Sequence, residues 1–234
     1  MSPPQQEMQV QLLCNCGLLV SCGADTVLID APNAAHRTFQ VMDAAMKKGL
    51  EAGDPPFDRL RGLVFTHTHP DHCDLEAAHR YLRLHPACTG FIPSYDDPAC
   101  VRLACGGVRL ELHYLPHMPV PEGMKKHYVL LLECGGRTLY ITGDAAPEPQ
   151  LHAAVLANRH IDAAFWNPYH LIAPQMREWI TAADVRQHCI YHIPADEKDT
   201  TGIRRKLLSC VGRHPDRLGS FRLLTRYPAI IPIT

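Results

Sequence analysis

The run His67-Thr68-His69-Pro70-Asp71-His72 constrains this chain more than any other feature. Four side chains able to bind a metal fall within six residues, directly after the apolar stretch Leu63-Val64-Phe65. Side chains alternate along an extended segment, so His67 and His69 point to one side. Pro70 turns the chain, and Asp71 and His72 then offer an oxygen and a further nitrogen next door. Imidazole and carboxylate suit zinc, iron, manganese or nickel. A mixed nitrogen and oxygen set with open positions suits catalysis better than structural closure. A histidine-rich surface loop is the plainer reading, but the order, the spacing and the preceding strand weigh against it.

Further candidate ligands follow in order. Thr26-Val27-Leu28-Ile29 ends in Asp30, and His117 follows Leu115-Pro116. Leu139-Tyr140-Ile141-Thr142 runs into Gly143-Asp144, and Cys189-Ile190-Tyr191 runs into His192. Together with residues 67–72 this order resembles the pattern of the metallo-β-lactamase superfamily, over roughly residues 10 to 195. The resemblance implies an α/β fold, a four-layer αββα sandwich of two mixed sheets flanked by helices. It also implies two divalent metal ions, zinc first, with manganese or iron as alternatives. His67, His69 and a third histidine would hold one ion. Asp71, His72 and a last histidine would hold the other, with Asp144 bridging.

The third histidine is read as His117, which follows a strand and a proline; His113 and His127 compete for the place. The last is read as His192, which ends a strand and opens a loop; His170 and His188 compete with it. Asp144 could instead serve only as a turn or cap residue. The resemblance implies that Asp30 hydrogen-bonds a metal-bound histidine and fixes its tautomer, as outer carboxylates commonly do. Its plainer role is to cap the following helix.

Composition bounds the rest. The chain has 234 residues, enough for one α/β domain spanning residues 1–234. Net charge is −1 with 15 His counted neutral, so no general nucleic-acid binding is expected. No apolar run approaches the ~20 residues that cross a bilayer. The opening residues Met-Ser-Pro-Pro-Gln-Gln-Glu lack a basic region and an apolar core, so no secretory signal is expected. A cytoplasmic location follows, with ten cysteines reduced and mostly buried. None of them forms a C-x-x-C pair. Cys134 and Cys189 read as small buried hydrophobes in strands, and Cys73 as packing. A thiolate cluster of Cys14, Cys16 and Cys22 is the lesser reading. The expected partner is a small-molecule substrate, with no membrane; a homodimer is left open.

Periodicity places the elements. Residues 10–21 and 26–29 read as two strands joined at Gly23-Ala24-Asp25. Residues 34–50 read as a helix, 60–65 as the strand that delivers the metal run, and 75–84 as a helix. Residues 108–115 read as a strand, and 128–133 and 137–142 as a hairpin around Cys134-Gly135-Gly136. Residues 148–158 and 174–183 read as helices, and 161–166 and 189–192 as strands. Thr200 or Thr201 is expected to cap a helix carrying Ile203, Leu207, Leu208 and Val211, and residues 221–233 to form a terminal strand.

Two cations a few ångströms apart share a water and bring its pKa toward neutrality. The expected enzyme is therefore a hydrolase using a metal-bridging hydroxide, with Asp71 and Asp144 as its catalytic carboxylates. Between residues 201 and 234, Arg204, Arg205, Lys206, Arg213, Arg217, Arg222 and Arg226 face only Asp216. A solvated helix face explains most such runs; an anion site is the sharper reading. With the two-metal clamp it favours a small phosphodiester or cyclic phosphate. The alternatives are lactone, thioester or amide hydrolysis, a mononuclear iron oxygenase, and a non-catalytic metal-binding protein. Trp166, Tyr169 and His170 follow a strand and are candidate substrate contacts.

Overall fold

The structure is a computed structural model that describes residues 7–118 and 126–233. The first six residues of the opening segment read above for a leader lie outside the described residues. The first half contains β1 (Met8–Cys14), β2 (Gly17–Cys22), β3 (Asp25–Ile29), α1 (Ala44–Ala52), β4 (Leu60–Val64), α2 (Leu75–Leu84) and β5 (Thr89–Phe91). Then come β6 (Cys100–Cys105), β7 (Val108–Tyr114), β8 (Tyr128–Cys134), β9 (Arg137–Ile141), α3 (Pro149–Leu156) and β10 (Ile161–Trp166). The chain continues with α4 (Pro168–Ile172), α5 (Pro174–Ala182), β11 (Val185–Ile190), α6 (Ile203–Arg213), α7 (Pro215–Leu218), β12 (Arg222–Leu223) and β13 (Ala229–Ile233).

The strands form two mixed sheets, ordered β13-β1-β2-β3-β4-β5 and β12-β11-β10-β9-β8-β7-β6. Val10, Leu12, Val20, Ile29 and Val64 of one meet Leu110, Leu130, Leu132, Ile141 and Phe165 of the other. The outer face of the first sheet packs Leu28, Leu63 and Phe65 on Leu50, Ala78 and Tyr81 of α1 and α2. The outer face of the second packs Tyr140, Ala164, Trp166 and Ile190 on Leu171, Met176, Ile180 and Leu207 of the later helices. These are the four layers expected. Strand β10 is buried at every position, as a parallel strand covered on both faces must be.

Several elements differ from expectation. Residues 34–43 are not helical. Asn33 closes them into a loop: its Oδ1 accepts from Met42 N–H (2.9 Å), and its Nδ2 donates to the Gln40 and Asp71 carbonyls (3.0 and 3.1 Å). Such bonds compete with helix formation. Helix α1 starts only at Asp43, whose Oδ1 accepts from Met46 N–H at 2.7 Å. Residues 8–22 form a hairpin rather than one strand. It turns at Asn15-Cys16, and a Cβ at Gly17 would lie 2.8 Å from Cys14 Sγ and Ala31 Cβ. Helix α6 is preceded by Gly202 in the left-handed region, without a side-chain cap. The terminal segment splits: β12 joins β11 in one sheet, while β13 follows Pro228 and joins β1 in the other. Pro lacks the N–H that would continue a ladder.

The cysteine expectation is corrected at two positions. Cys22 and Cys134 form a disulfide across the two sheets, with Cα atoms 6.4 Å apart, inside the range a disulfide needs. Six of the other eight are buried. Cys22 pairs with Asp25 where β3 begins, and Cys134 with Arg137 where β9 begins. The disulfide thus sits at the opposite end of the sandwich from the C-terminal ends of β3 and β9. No helix among the described residues is long and apolar enough to cross a membrane.

Candidate metal centre

In open α/β sheets, ligands bind outside the carboxyl ends of strands. Here Asp30 follows β3, residues 67–72 follow β4, His117 follows β7, Asp144 follows β9 and His192 follows β11. Asp30 and His192 have positive φ values of 52° and 57°, a region a non-glycine residue enters only when its surroundings hold it there.

The hydrogen bonds around Asp30 fix two imidazoles. Its Oδ1 accepts from Thr66 N–H (2.7 Å) and its Oδ2 from Thr66 Oγ1–H (2.8 Å) and His72 Nδ1–H (2.9 Å). With its proton committed, Thr66 Oγ1 can only accept from His67 Nδ1, at 3.0 Å. His67 and His72 therefore carry Nδ1–H and present bare Nε2 lone pairs. His117 donates Nδ1–H to the Met118 carbonyl at 2.6 Å. Its Nε2 is buried with no hydrogen-bond partner among the described residues.

These lone pairs converge. His67, His69 and His117 form one group of possible ligands, and Asp71, His72, Asp144 and His192 another, with donor atoms in each within 4.8 Å of one another. His67 Nε2 faces His69 Nδ1 at 3.1 Å, and His72 Nε2 faces His192 Nε2 at 3.0 Å. Two nitrogens on one tetrahedral zinc, each 2.0–2.1 Å from it, stand about 3.3 Å apart. Asp144 lies between the groups: Oδ2 is 3.6 Å from His117 Nε2 and 3.5 Å from His72 Nε2, and Oδ1 is 3.5 Å from His192 Nε2. The orphaned His117 nitrogen and the facing lone pairs fit a pair of cations.

The local charges agree with that use. Burial pushes His67 well below the ordinary histidine pKa and His69 below it, which keeps both neutral. Burial opposes charge on Asp71 and Asp144, yet the His72 and His192 imidazoles outweigh it and hold both carboxyls below the usual range. His72 is the exception: burial opposes its charge, but the Asp144, Asp30 and Asp71 carboxylates prevail and raise it, so a cation there would have to displace a proton.

Of the competing histidines, His113 sits 3.4 Å from Glu111 on β7. His188 accepts from Trp166 Nε1–H at 3.1 Å and stacks on Phe221. His127 is buried behind Asp144 and accepts its backbone N–H at Nε2, 3.0 Å away, while donating Nδ1–H to the Leu115 carbonyl. Burial pushes its pKa down to about 3. Three residues support the site in ways the sequence did not indicate. Asn167 Nδ2 donates to Asp144 Oδ1 at 2.6 Å. The Asn15 carbonyl accepts from His192 N–H at 3.2 Å. Cys16 Sγ–H donates to the Asp71 carbonyl at 3.4 Å. The one sequence signal for Asn15 and Cys16 is the polar break they make in an apolar run.

A cavity of about 550 Å³ opens onto His69, Asp71, His117, Asp144 and His192. Its walls include Phe39, Met118, Ile172, Ile203, Asn167 and Tyr169. Of the three candidate substrate contacts, Tyr169 lines the cavity, whereas Trp166 and His170 do not. Both are fully buried behind the pocket, because β10 and α4 turn these rings into the helix-covered core. The basic C-terminal stretch, read mainly as a solvated face and less as an anion site, does not reach the cavity among the described residues: no Lys or Arg is among those lining it. Arg204 binds the Pro194 carbonyl, Arg213 the Ser209 carbonyl and Arg222 the Ile230 carbonyl.

No protein-family model and no curated protein matches the chain. Solved structures do. The metallo-β-lactamase fold protein YhfI from Bacillus subtilis is 12% identical, with a TM-score of 0.62 over 97% of this chain and 99% of that one. An isothiocyanate hydrolase from Delia radicum gut bacteria is 12% identical, with a TM-score of 0.62 over 96% and 98%. CmlA, a diiron β-hydroxylase from Streptomyces venezuelae, is 14% identical, with a TM-score of 0.62 over 98% of this chain. The chain spans 55% of the length of CmlA.

Proposed function

We propose that this chain, which has the metallo-β-lactamase fold, is a dinuclear metal-dependent hydrolase acting on an uncharged carbonyl, such as that of a lactone, thioester or amide. The carrying observation is the convergence of two ligand groups on the two oxygens of Asp144. His67, His69 and His117 would hold one cation, and Asp71, His72 and His192 the other, zinc being the first choice for such a donor set. Bound cations would supply an activated water and polarise the bond under attack.

The protein's own groups do the rest. Asp30 holds His72 in the tautomer that bares Nε2, as an outer carboxylate does. Burial, then Asp144 and Asp199, raise the Tyr169 pKa, so its phenol stays protonated and can donate to the reacting oxygen. Phe39, Met118, Ile172 and Ile203 make an apolar wall, where each polar contact counts for more. The phosphodiester reading rested on the two-metal clamp and on the basic C-terminal stretch as a site for a second negative charge. With no cation among the described lining residues, an uncharged substrate is the better supported one.

The experiment combines metal analysis with a substrate panel. Two zinc or manganese ions per chain are expected. Asp144→Ala should lose most activity and at least one ion while keeping its fold. Full activity and metal content in that variant would remove Asp144 from the bridge. An acyl lactone and an acyl thioester should outpace an aryl phosphodiester and a 2′,3′-cyclic nucleotide; the reverse order would return the substrate to phosphorus. Bound iron with oxygen consumption would replace hydrolysis by oxygen chemistry.

A further inference from the structure

Among the described residues that line the cavity, His36 offers a donor outside the candidate ligand set. His36 lies on the loop before α1, where its ring lines the cavity. Its Nδ1 accepts two backbone N–H groups, from Thr38 at 3.2 Å and Phe39 at 3.3 Å. An imidazole nitrogen that accepts two N–H groups must present its lone pair, so the ring proton resides on Nε2. Nε2 makes no hydrogen bond among the described residues. The ring is also held in place: it stacks on Phe39 with centroids 5.0 Å apart, and Phe39 sets its edge against His192, 4.2 Å between centroids. The loop is anchored by Asn33 at its start and by Thr38, whose Oγ1 lies 3.0 Å from Thr200 Oγ1.

We propose that His36 is a specificity-determining residue: its Nε2–H donates to an uncharged carbonyl oxygen on the part of the substrate that does not react. The substrate class is then an apolar ester, thioester or lactone carrying a second acceptor group, separated from the scissile carbonyl by a short chain that spans the Phe39 ring. The inference rests on the reading of the cavity as a hydrolase pocket. A fixed donor in an apolar wall discriminates strongly, because a substrate lacking the acceptor leaves it unpaired. The donor-only tautomer also sets the sign of the preference. It selects acceptors, and an alcohol or ammonium at the same place gains less.

Two measurements test it on the zinc-loaded protein. Long-range ¹H–¹⁵N spectra of the imidazoles should show His36 as the Nε2–H tautomer; an Nδ1–H tautomer overturns the proposal whatever the enzyme does. Kinetics with a matched pair, 4-nitrophenyl hexanoate and 4-nitrophenyl 5-oxohexanoate, should favour the oxo ester by roughly tenfold in kcat/KM, mostly through KM. His36→Asn keeps an acceptor where Nδ1 stood and removes the Nε2–H together with the ring that carries it; its amide is too short to place a donor where Nε2 stood. It should bring the ratio of the two esters close to one, at unchanged melting temperature and metal content. A ratio that survives in His36→Asn, or that is already one in the parent protein, overturns the proposal. If neither ester is cleaved, the hydrolase reading fails separately. The same pair then serves as binding probes in calorimetry, where the oxo ester must bind more tightly to the parent protein than to His36→Asn.

Discussion

Asn167 ties one oxygen of Asp144 to the pocket wall. Its own Oδ1 accepts from Tyr169 N–H at 3.0 Å, so the amide cannot flip without losing both bonds. Asn167→Ala should therefore free the carboxylate and weaken metal binding by about 10- to 100-fold, the usual effect of losing an outer partner. Competition with a chromogenic chelator measures this, and unchanged affinity would reduce Asn167 to a wall residue. The candidate ligands were legible because the run of residues 67–72, Asp144 and His192 all follow apolar strands, and strand ends are visible in sequence. Their supports were not, because they act across the fold: Asn15 reaches His192 over a separation of 177 residues. Trp166 and His170 misled for a related reason. A ring just past a strand end is visible, but which side of a doubly covered sheet it faces is not.

The turn after β9 delivers Asp144, and Gly143 makes that turn. At φ 51°, a Cβ there would lie 2.7 Å from His127 Nε2 and 2.8 Å from Thr66 Oγ1. Gly143→Ala should thus combine left-handed strain with a clash against two groups that position the centre. We expect a loss of about 1–3 kcal/mol in urea unfolding of the metal-free protein, with weakened metal binding. An unchanged midpoint would mean that the turn relaxes freely. At this scale the reading of the sequence succeeded where periodicity was uncontested: the limits of α2 and β10 match their apolar patterns. It failed where side chains compete with the backbone. Asn33 turns what reads as helical periodicity into the loop of residues 34–43, and the Asn15-Cys16 turn divides what reads as one strand into two.

Across the whole molecule, buried neutral histidines tie stability to pH. His152 accepts from Tyr140 O–H at 2.7 Å and donates to the Ala146 carbonyl at 2.9 Å, and burial pushes its pKa down to about 4. Burial does the same to His188, also to about 4. The unfolded chain takes up these protons near pH 6.5, so the folded state is favoured above that value and loses ground as pH falls toward 4. At pH 5 each residue should cost about 2 kcal/mol relative to pH 7.5, a sizeable share of the 5–15 kcal/mol typical of a domain. Urea titrations of the metal-loaded protein at the two pH values check this, and equal stabilities would contradict it. The disulfide between Cys22 and Cys134 has a larger consequence. It pins the two sheets at one end, while Asp30 and residues 67–72 of the first sheet meet His117, Asp144 and His192 of the second at the other. On the proposed reading the sandwich would be bolted at both ends, by sulfur at one and by cations at the other. Chelation should speed amide hydrogen exchange around Ile29, Val64, Ile141 and Ile190 and spare the Cys22 and Cys134 hairpins, whereas reduction should do the reverse. The protein would come apart like a book, from whichever edge is unbolted first.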